Sequence, residues 1–413
     1  MATPRTSKGL LQPLARGNFN GRMLLVVTTL LVAFGAIAVA SASEGQAVAN
    51  GGSSFSIILR DLVYLGFGLF ALYVVARLRL SRVVRAAPLL ILVGLAMLAA
   101  VKLVGVTSDG GKRWLNLHVI LLQPSEIFKL FTVLFLAWLV QNHHEELSNW
   151  KQLVVWTSPV TIGAALVLVE PDIGTTSVIV AMAFTMLMVA GLAKKRLVQI
   201  TLLGVVTFFG YMKFKPYSAQ RFFSFLHPNQ NLASTGYQLL QSKIGLGAGG
   251  LTGLGLGNSR EKFGLLPNPH TDFIFTIIGE ELGLVGSLIV IGLFVWFLFV
   301  ATRIAKQCTN EVYRLLVVGV TTWIVLEAII NIASVVGGWA VTGIPLPFFS
   351  YGGTALITEL AAVGLLYNIA HDTSHSGDVE IREPRTVSMR EAYETRPARA
   401  HARRAPTGPR QVR

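Results

Sequence analysis

The residues with most chemical potential in this chain are acids and cations at the ends of apolar runs. Foremost is Asp272, in Pro267-Asn268-Pro269-His270-Thr271-Asp272-Phe273-Ile274-Phe275. This segment delivers a carboxylate to the mouth of an apolar helix. A charge there is costly unless it has a partner or a task. The helix dipole favours the ionised form, partial burial opposes it, and an ionised carboxylate beside a cavity can take a proton from an alcohol. N-capping is the plainer role for the same residue type. Spacing alone leaves both open.

Other charged groups need the same weighing. Gln123-Pro124-Ser125-Glu126 has proline at a first helical position and glutamate in the first turn, which marks a helix start. Lys129 follows at i+3. A local Glu126–Lys129 ion pair makes both charges tolerable; a sharper reading turns Lys129 to a cavity and an anionic ligand, and the two are compatible. Glu170-Pro171-Asp172 is so short a turn that both acids sit at one rim. Asp172 caps the next helix on one reading; the two acids hold a divalent cation on the other. Glu280, Glu281, Glu327 and Glu359 lie in or near apolar helices, where paired structural roles are the default and their number suggests a polar cavity. Asp109-Gly110-Gly111 signals a tight turn, and Arg113-Trp114 suits a membrane interface.

Gly245-Leu246-Gly247-Ala248-Gly249-Gly250 fits G-x-G-x-x-G, yet no βαβ pattern surrounds it and no P-loop ending follows, so no nucleotide site is read there. The run from Gly245 to Gly257 reads instead as backbone that packs closely or re-enters the outer leaflet, with N–H groups accessible to phosphate. The single cysteine, Cys308, excludes an intrachain disulfide and a thiolate metal cluster.

The elements that must position these groups are membrane helices. Of 413 residues 53% are hydrophobic and 14% charged, against roughly 25% charged in soluble domains, and mean hydropathy is +0.59. Runs of about 20 apolar residues fall at roughly 22–43, 56–77, 84–106, 124–141, 152–169, 173–193, 197–212, 273–302, 313–337 and 351–370. An all-α polytopic protein with ten transmembrane helices follows. A long polar insert, about 213–272, separates the seventh from the eighth. Residues 1–21 form an N-terminal tail, 22–371 the membrane domain, and 372–413 a disordered basic tail that is solvated or touches anionic lipid or a partner.

The net charge of +14 is unevenly placed. Arg5 to Arg22, Arg77 to Arg85, Lys194 to Arg196 and Arg303 to Arg314 fall in alternate connections. By the positive-inside rule these, and both termini, are cytoplasmic, and the insert is outside. Val39-Ala40-Ser41-Ala42-Ser43 resembles a cleavage site, but the leader is long and the apolar run exceeds a signal core, so the first run is read as a span.

Taken in order, Lys112-Arg113-Trp114-Leu115-Asn116-Leu117, Gln123-Pro124-Ser125-Glu126 with Lys129, Glu170-Pro171-Asp172-Ile173-Gly174-Thr175, Gly236-Tyr237-Gln238, the glycine run, His270-Thr271-Asp272-Phe273-Ile274-Phe275, Gly279-Glu280-Glu281-Leu282-Gly283 and Thr342-Gly343-Ile344-Pro345-Leu346-Pro347-Phe348-Phe349-Ser350-Tyr351-Gly352-Gly353 form a specific set. With them, from about residue 23 to 370, the chain resembles the SEDS family of shape, elongation, division and sporulation proteins. The segment Gly257 to Phe263, followed closely by Leu-Pro, looks more like the division members than the elongation members.

That resemblance implies a ten-span peptidoglycan glycosyltransferase that polymerises lipid II at the outer face of the bacterial cytoplasmic membrane, at the division septum. It implies a class B penicillin-binding protein and other division proteins as partners, contact with membrane lipids, and no nucleic acid. Asp272 matches the family's essential acid. The matched motifs carry substrate binding onto Arg113, Trp114, Gln123, Glu126, Lys129, Gln238, Lys243, His270, Thr271 and Ser350.

The implied reaction joins the 4-hydroxyl of one GlcNAc to the anomeric carbon of a lipid-linked MurNAc, with inversion. A base is needed for the hydroxyl. Diphosphate leaves without a protonating acid, unlike the leaving group in glycoside hydrolysis. Positive charge must meet it, from Lys129, Arg113, Lys243 or a bound Mg²⁺ or Mn²⁺ of unknown ligands. Two positions depart from the pattern: Asn268 stands where many relatives have Glu, and Leu121 where some have a basic residue. The competing readings are a flippase for lipid II, a scaffold that recruits a synthase, and the same polymerase serving elongation.

Overall fold

The computed structural model describes residues 19–49, 54–108, 111–116, 121–215, 219, 222–223, 225, 235–267 and 269–372. The two tails, the Asp109-Gly110 turn, Asn268 and most of 216–234 lie outside the described residues. Helices make up nearly everything else: α1 (Phe19–Ala49), α2 (Ser54–Arg77), α3 (Leu80–Val104), α4 (Pro124–His143), α5 (Trp150–Val169), α6 (Ile173–Val189), α7 (Lys194–Phe214), α8 (Thr235–Gly249), α9 (Ile274–Gln307), α10 (Glu311–Val336) and α11 (Gly353–Asp372). A backbone in lipid must satisfy its own N–H and C=O groups, and helices do this within one segment. Among the described residues nine helices are long and apolar enough to cross a membrane; α6 is apolar but shorter, and α8 is not among them.

Local signals act where expected. Pro124 opens α4. Asp172 caps α6 by accepting from the Thr175 N–H at 2.9 Å and its hydroxyl at 3.0 Å. Between α3 and α4 the chain adds a small antiparallel sheet, β1 (Val106–Ser108), β2 (Gly111–Asn116) and β3 (Leu121–Leu122), in the order β1-β2-β3. Val106 faces Trp114 next to a bulge, and Leu115 faces Leu122.

The helices sort by burial. α11 lies along α2 and touches α1 and α4, while α10 runs among α4, α6, α8 and α9. These central helices carry Lys129, Glu327 and Glu359, all nearly inaccessible. At the periphery α7 buries only Met212.

The described residues of the insert include a helix, α8. It lies against α9 because glycines allow it: a Cβ on Gly249 would run into the Gly279 carbonyl, and one on Gly245 would meet Glu261 and Thr276. The helix α9 is itself broken at Gly283, whose φ is 67° and ψ −162°. The break frees backbone groups on both sides, and the loop after α8 takes them up. Leu254 and Gly255 donate N–H to the carbonyls of Glu280 and Glu281 at 3.0 and 2.9 Å, while Leu284 and Val285 donate to Gly250 and Leu251 at 2.9 and 3.2 Å. Gly253 and Gly255 hold φ of 82° and 95° here, a region costly for other L residues. The glycine run is therefore closely packed backbone, as the sequence suggests, and it fills the gap in a helix.

Candidate active site

Asp272 lies just ahead of α9, whose N-cap is Phe273, so it is not itself the cap. It is partly buried. The carbonyls of three consecutive residues here are all engaged. His270 O accepts from the Tyr351 N–H at 2.9 Å, Thr271 O from the Ser350 hydroxyl at 2.6 Å, and Asp272 O from the Asn331 amide at 2.8 Å. Two of these donors sit on the return loop between α10 and α11. That loop is bent at Phe348, a non-glycine residue with φ of 65°, and the buried Glu359 carboxylate accepts the Phe348 N–H at 2.8 Å.

Of the residues singled out from sequence, His270, Thr271, Asp272 and Ser350 are thus brought together. The Ser350 hydroxyl also accepts from the Leu346 N–H at 2.7 Å, so its hydrogen-bonding capacity is directed into the backbone. The rings of His270 and Tyr351 lie 5.7 Å apart. Gln123 is tied to the mouth of α11, its N–H donating to the Thr354 hydroxyl at 3.2 Å. Its side-chain amide donates to Ser125 at 3.2 Å.

Glu126 and Lys129 form a second group. The Lys129 ammonium, wholly inaccessible, pairs with Glu126 at 2.7 Å and with Glu327 of α10. Trp323 donates its indole N–H to the other Glu327 oxygen at 2.8 Å, and its ring lies 4.9 Å from the ammonium. The ion-pair reading of this i+3 spacing holds, with a second acid from 198 residues away that sequence spacing did not reveal. The ammonium is enclosed by these partners rather than turned to a cavity.

Arg113 forms a third group with the α5–α6 turn. Its guanidinium donates to the carbonyls of Glu170 at 3.0 Å and Pro171 at 2.8 Å, and stands 3.8 Å from the Asp172 carboxylate. Burial, and then the charge of Asp172, pushes the Glu170 carboxyl up to about 8. Trp114 is half-buried in β2 beside it. On α8, Gln238 is partly buried and Lys243 is exposed; Lys243 lies against Gly337, the left-handed cap of α10.

Of the two readings of the Glu170–Asp172 rim, the structure shows the cap. Asp172 serves as a cap and Arg113 partner, and among the described residues no three His, Cys, Asp or Glu side chains gather as metal ligands. The residues fit only a looser arrangement, in which one or two carboxylates and a substrate's phosphates share a hard cation.

Sequence reasoning did not single out Asn331 or Lys262. Asn331 is 1% exposed on α10. The Lys262 ammonium is buried among the Gly257 carbonyl at 2.8 Å, Glu44 at 3.0 Å, Ser41 at 3.2 Å and Glu281 at 3.3 Å. Its position five residues after a glycine, in a polar segment, offered no signal for burial.

A helical bundle with buried ion pairs, an irregular glycine-rich insert and an acid at the mouth of a broken helix defines a polytopic integral membrane protein with a polar site at one end. The chain belongs to the FtsW/RodA/SpoVE family of cell cycle proteins, whose model matches residues 21–375. It is 36% identical over 360 residues to a Coxiella burnetii protein named "Probable peptidoglycan glycosyltransferase FtsW", covering 85% of this chain and 96% of the relative. It is 34% identical over 373 residues to "Stage V sporulation protein E" of Bacillus subtilis, covering 90% and 99%. Among solved structures, a chain from "Structural coordination of polymerization and crosslinking by a peptidoglycan synthase complex" matches with a TM-score of 0.73 at 26% identity, covering 87% of this chain and 99% of that one. The Thermus thermophilus rod shape determining protein RodA matches at 0.63 and 26%, covering 86% and 97%.

Proposed function

We propose that this protein is an inverting peptidoglycan glycosyltransferase that polymerises lipid II into β-1,4 glycan strands during division, with Asp272 as general base. The observation that carries the reading is the restrained segment 270–272, whose three successive backbone carbonyls are held and which places the backbone of Asp272 at the mouth of α9. The naming of the FtsW relatives as peptidoglycan glycosyltransferases supports the activity.

In the reaction, the acceptor GlcNAc 4-hydroxyl gives its proton to the Asp272 carboxylate as its oxygen bonds to the donor anomeric carbon. The bond from that carbon to the diphosphate oxygen breaks on the opposite side, and the lipid diphosphate leaves. Holding the base in place removes much of the entropic cost of the encounter. Lys243, exposed on α8, and Arg113 at the rim are the cations we assign to the departing oxygens; Lys129, enclosed by Glu126 and Glu327, has a structural role instead. Mg²⁺ or Mn²⁺, held mainly by the substrate's own diphosphate oxygens, would supply further charge neutralisation, while Asp272 keeps the proton-accepting role.

The chain crosses the cytoplasmic membrane ten times in this reading, α6 included, with both termini inside and the site outside at the septum. A class B penicillin-binding protein cross-links the product; the matched synthase complex, described by polymerisation and crosslinking, supports such a partner. The test is conversion of labelled lipid II by the full chain with that partner, in Mg²⁺ or Mn²⁺, read as glycan ladders on a gel. Polymer from the native complex and none from Asp272→Asn is expected. Polymer that survives the substitution rejects the base assignment, and lipid movement across liposomes without polymer supports a flippase instead.

A further inference from the structure

The backbone carbonyl of Asp272 is held by a donor from a side chain with no assigned role. The Asn331 amide nitrogen donates to Asp272 O at 2.8 Å and to Ile344 O at 2.8 Å. Both hydrogens are thereby used, on carbonyls from two different segments. The amide cannot be turned the other way, because its oxygen would then face two carbonyl oxygens. That oxygen is buried without a partner, a cost that the two donated bonds must offset.

Asn331 also sits at a junction. It lies one turn along α10 from Glu327, so the two share a face. Glu327 is fixed by Lys129 of α4 and by Trp323 one turn earlier. The register of α10 against α4 is therefore set by a buried ion pair, and one turn on, the same helix face reaches the approach to α9. Ser350 makes the parallel contact to Thr271 from the return loop, whose Ile344 carbonyl Asn331 also holds.

We propose that Asn331 is a positioning residue for the reaction: its amide fixes the backbone at Asp272 against the return loop, and α10 carries the order of the Lys129 ion pair to that point. The inference rests on Asp272 being the base. It asks more of Asn331 than stability, because a displaced base loses rate before it loses substrate. A displacement of about 1 Å in a reacting group can lower turnover on the order of 10²-fold.

The experiment measures initial rates of fluorescent lipid II polymerisation by the full chain with its penicillin-binding partner, over a range of lipid II concentrations, beside Tm in detergent. Asn331→Ala is expected to lower kcat on the order of 10²-fold with KM within about twofold, the pattern of an interaction realised in the transition state. Ser350→Ala, which frees the neighbouring carbonyl, is expected to lose about tenfold in kcat with the same split. Thr321→Ala on the same helix loses a buried hydroxyl whose bond goes only to Val317 O, and it is expected to keep native kcat. Native kcat in Asn331→Ala, or a loss that appears in KM, overturns the proposal. Should that variant fail to fold, Asn331→Leu, which fills similar space without a donor, is measured in its place, and native kcat there overturns the proposal equally. Asp272→Asn run in parallel separates the two readings. If that variant still polymerises, the base assignment falls and the positioning role with it; if it is inactive while Asn331→Ala is native, the positioning role falls alone.

Discussion

Among the described residues two lysines, Lys129 and Lys262, end inside the protein, and they are held in different ways. Lys129 pairs with two carboxylates, Glu126 and Glu327, whose side chains are 2% and 1% exposed. All three stand on helices that already satisfy their own backbones, so the knot fixes one helix against another. Lys262 stands in a loop. Its partners are a backbone carbonyl, a serine, Glu281, and Glu44, whose side chain is 53% exposed. That knot fixes irregular backbone onto α1 and onto the first part of α9, next to the break at Gly283. Buried charge can serve helix register or loop docking, and the difference lies in which backbone still needs partners.

Removing each ammonium should separate the two. Lys129→Met leaves two buried carboxylates facing each other across α4 and α10 with no cation between them. Breaking a buried pair in this way costs about 3–5 kcal/mol, the largest stability loss expected in the molecule, seen as a fall in Tm in detergent. Lys262→Met should cost less, about 1–3 kcal/mol, because Glu281 keeps the Ser41 hydroxyl at 2.6 Å and the Ser259 N–H at 3.3 Å. Its effect should be local. Hydrogen exchange is expected to quicken at the N–H groups of Leu254, Gly255, Leu284 and Val285, which close the α9 break, and to stay slow in α4 and α10. Equal Tm losses, or protection lost across the whole bundle by Lys262→Met, would erase the contrast.

The contrast also marks what could be read from sequence. Glu126 and Lys129 are three residues apart on one helix, and local spacing exposes such a pair. Asp172 as a cap and Pro124 as a helix start were legible for the same reason, since each acts within one turn. Glu327 lies 198 residues from Lys129 and Glu281 lies 240 from Ser41; no local pattern joins them, and only packing selects the partner. The break in α9 was hidden because Gly283 interrupts an apolar run that otherwise reads as one long span. The glycines of 245–257 read as backbone that packs closely or re-enters the leaflet, but what they pack against depends on that break. Asn331 escaped notice because a single amide in an apolar helix has no spacing to betray it.

The smallest effect expected concerns how tightly the loop knot closes with pH. Glu261 is buried next to Lys262, and its carboxyl is pushed up to about 7 by burial first and by the charge of Glu280 second. Glu280 accepts from the Ser259 hydroxyl and from the N–H groups of Arg260 and Glu261, while the Lys262 ammonium is turned to Glu281 and Glu44. Below the ordinary value of 4.5 folded and unfolded chains both hold the Glu261 proton, so it adds no pH dependence. Between 4.5 and about 7 the folded chain keeps a proton that the unfolded chain has lost, so stability falls as pH rises. Above that window both are ionised and the full cost remains. Glu261→Gln removes the ionisable group, so the Tm advantage of the variant over the native chain should grow through the window and then level off. Exchange at Leu254 and Gly255 should follow the same curve in the native chain and lose that part of its pH dependence in the variant. A Tm difference that stays flat across the window would show that the loop knot does not loosen with the charge on Glu261, and the contrast with the helix knot would then rest on solvent access at Glu44 alone.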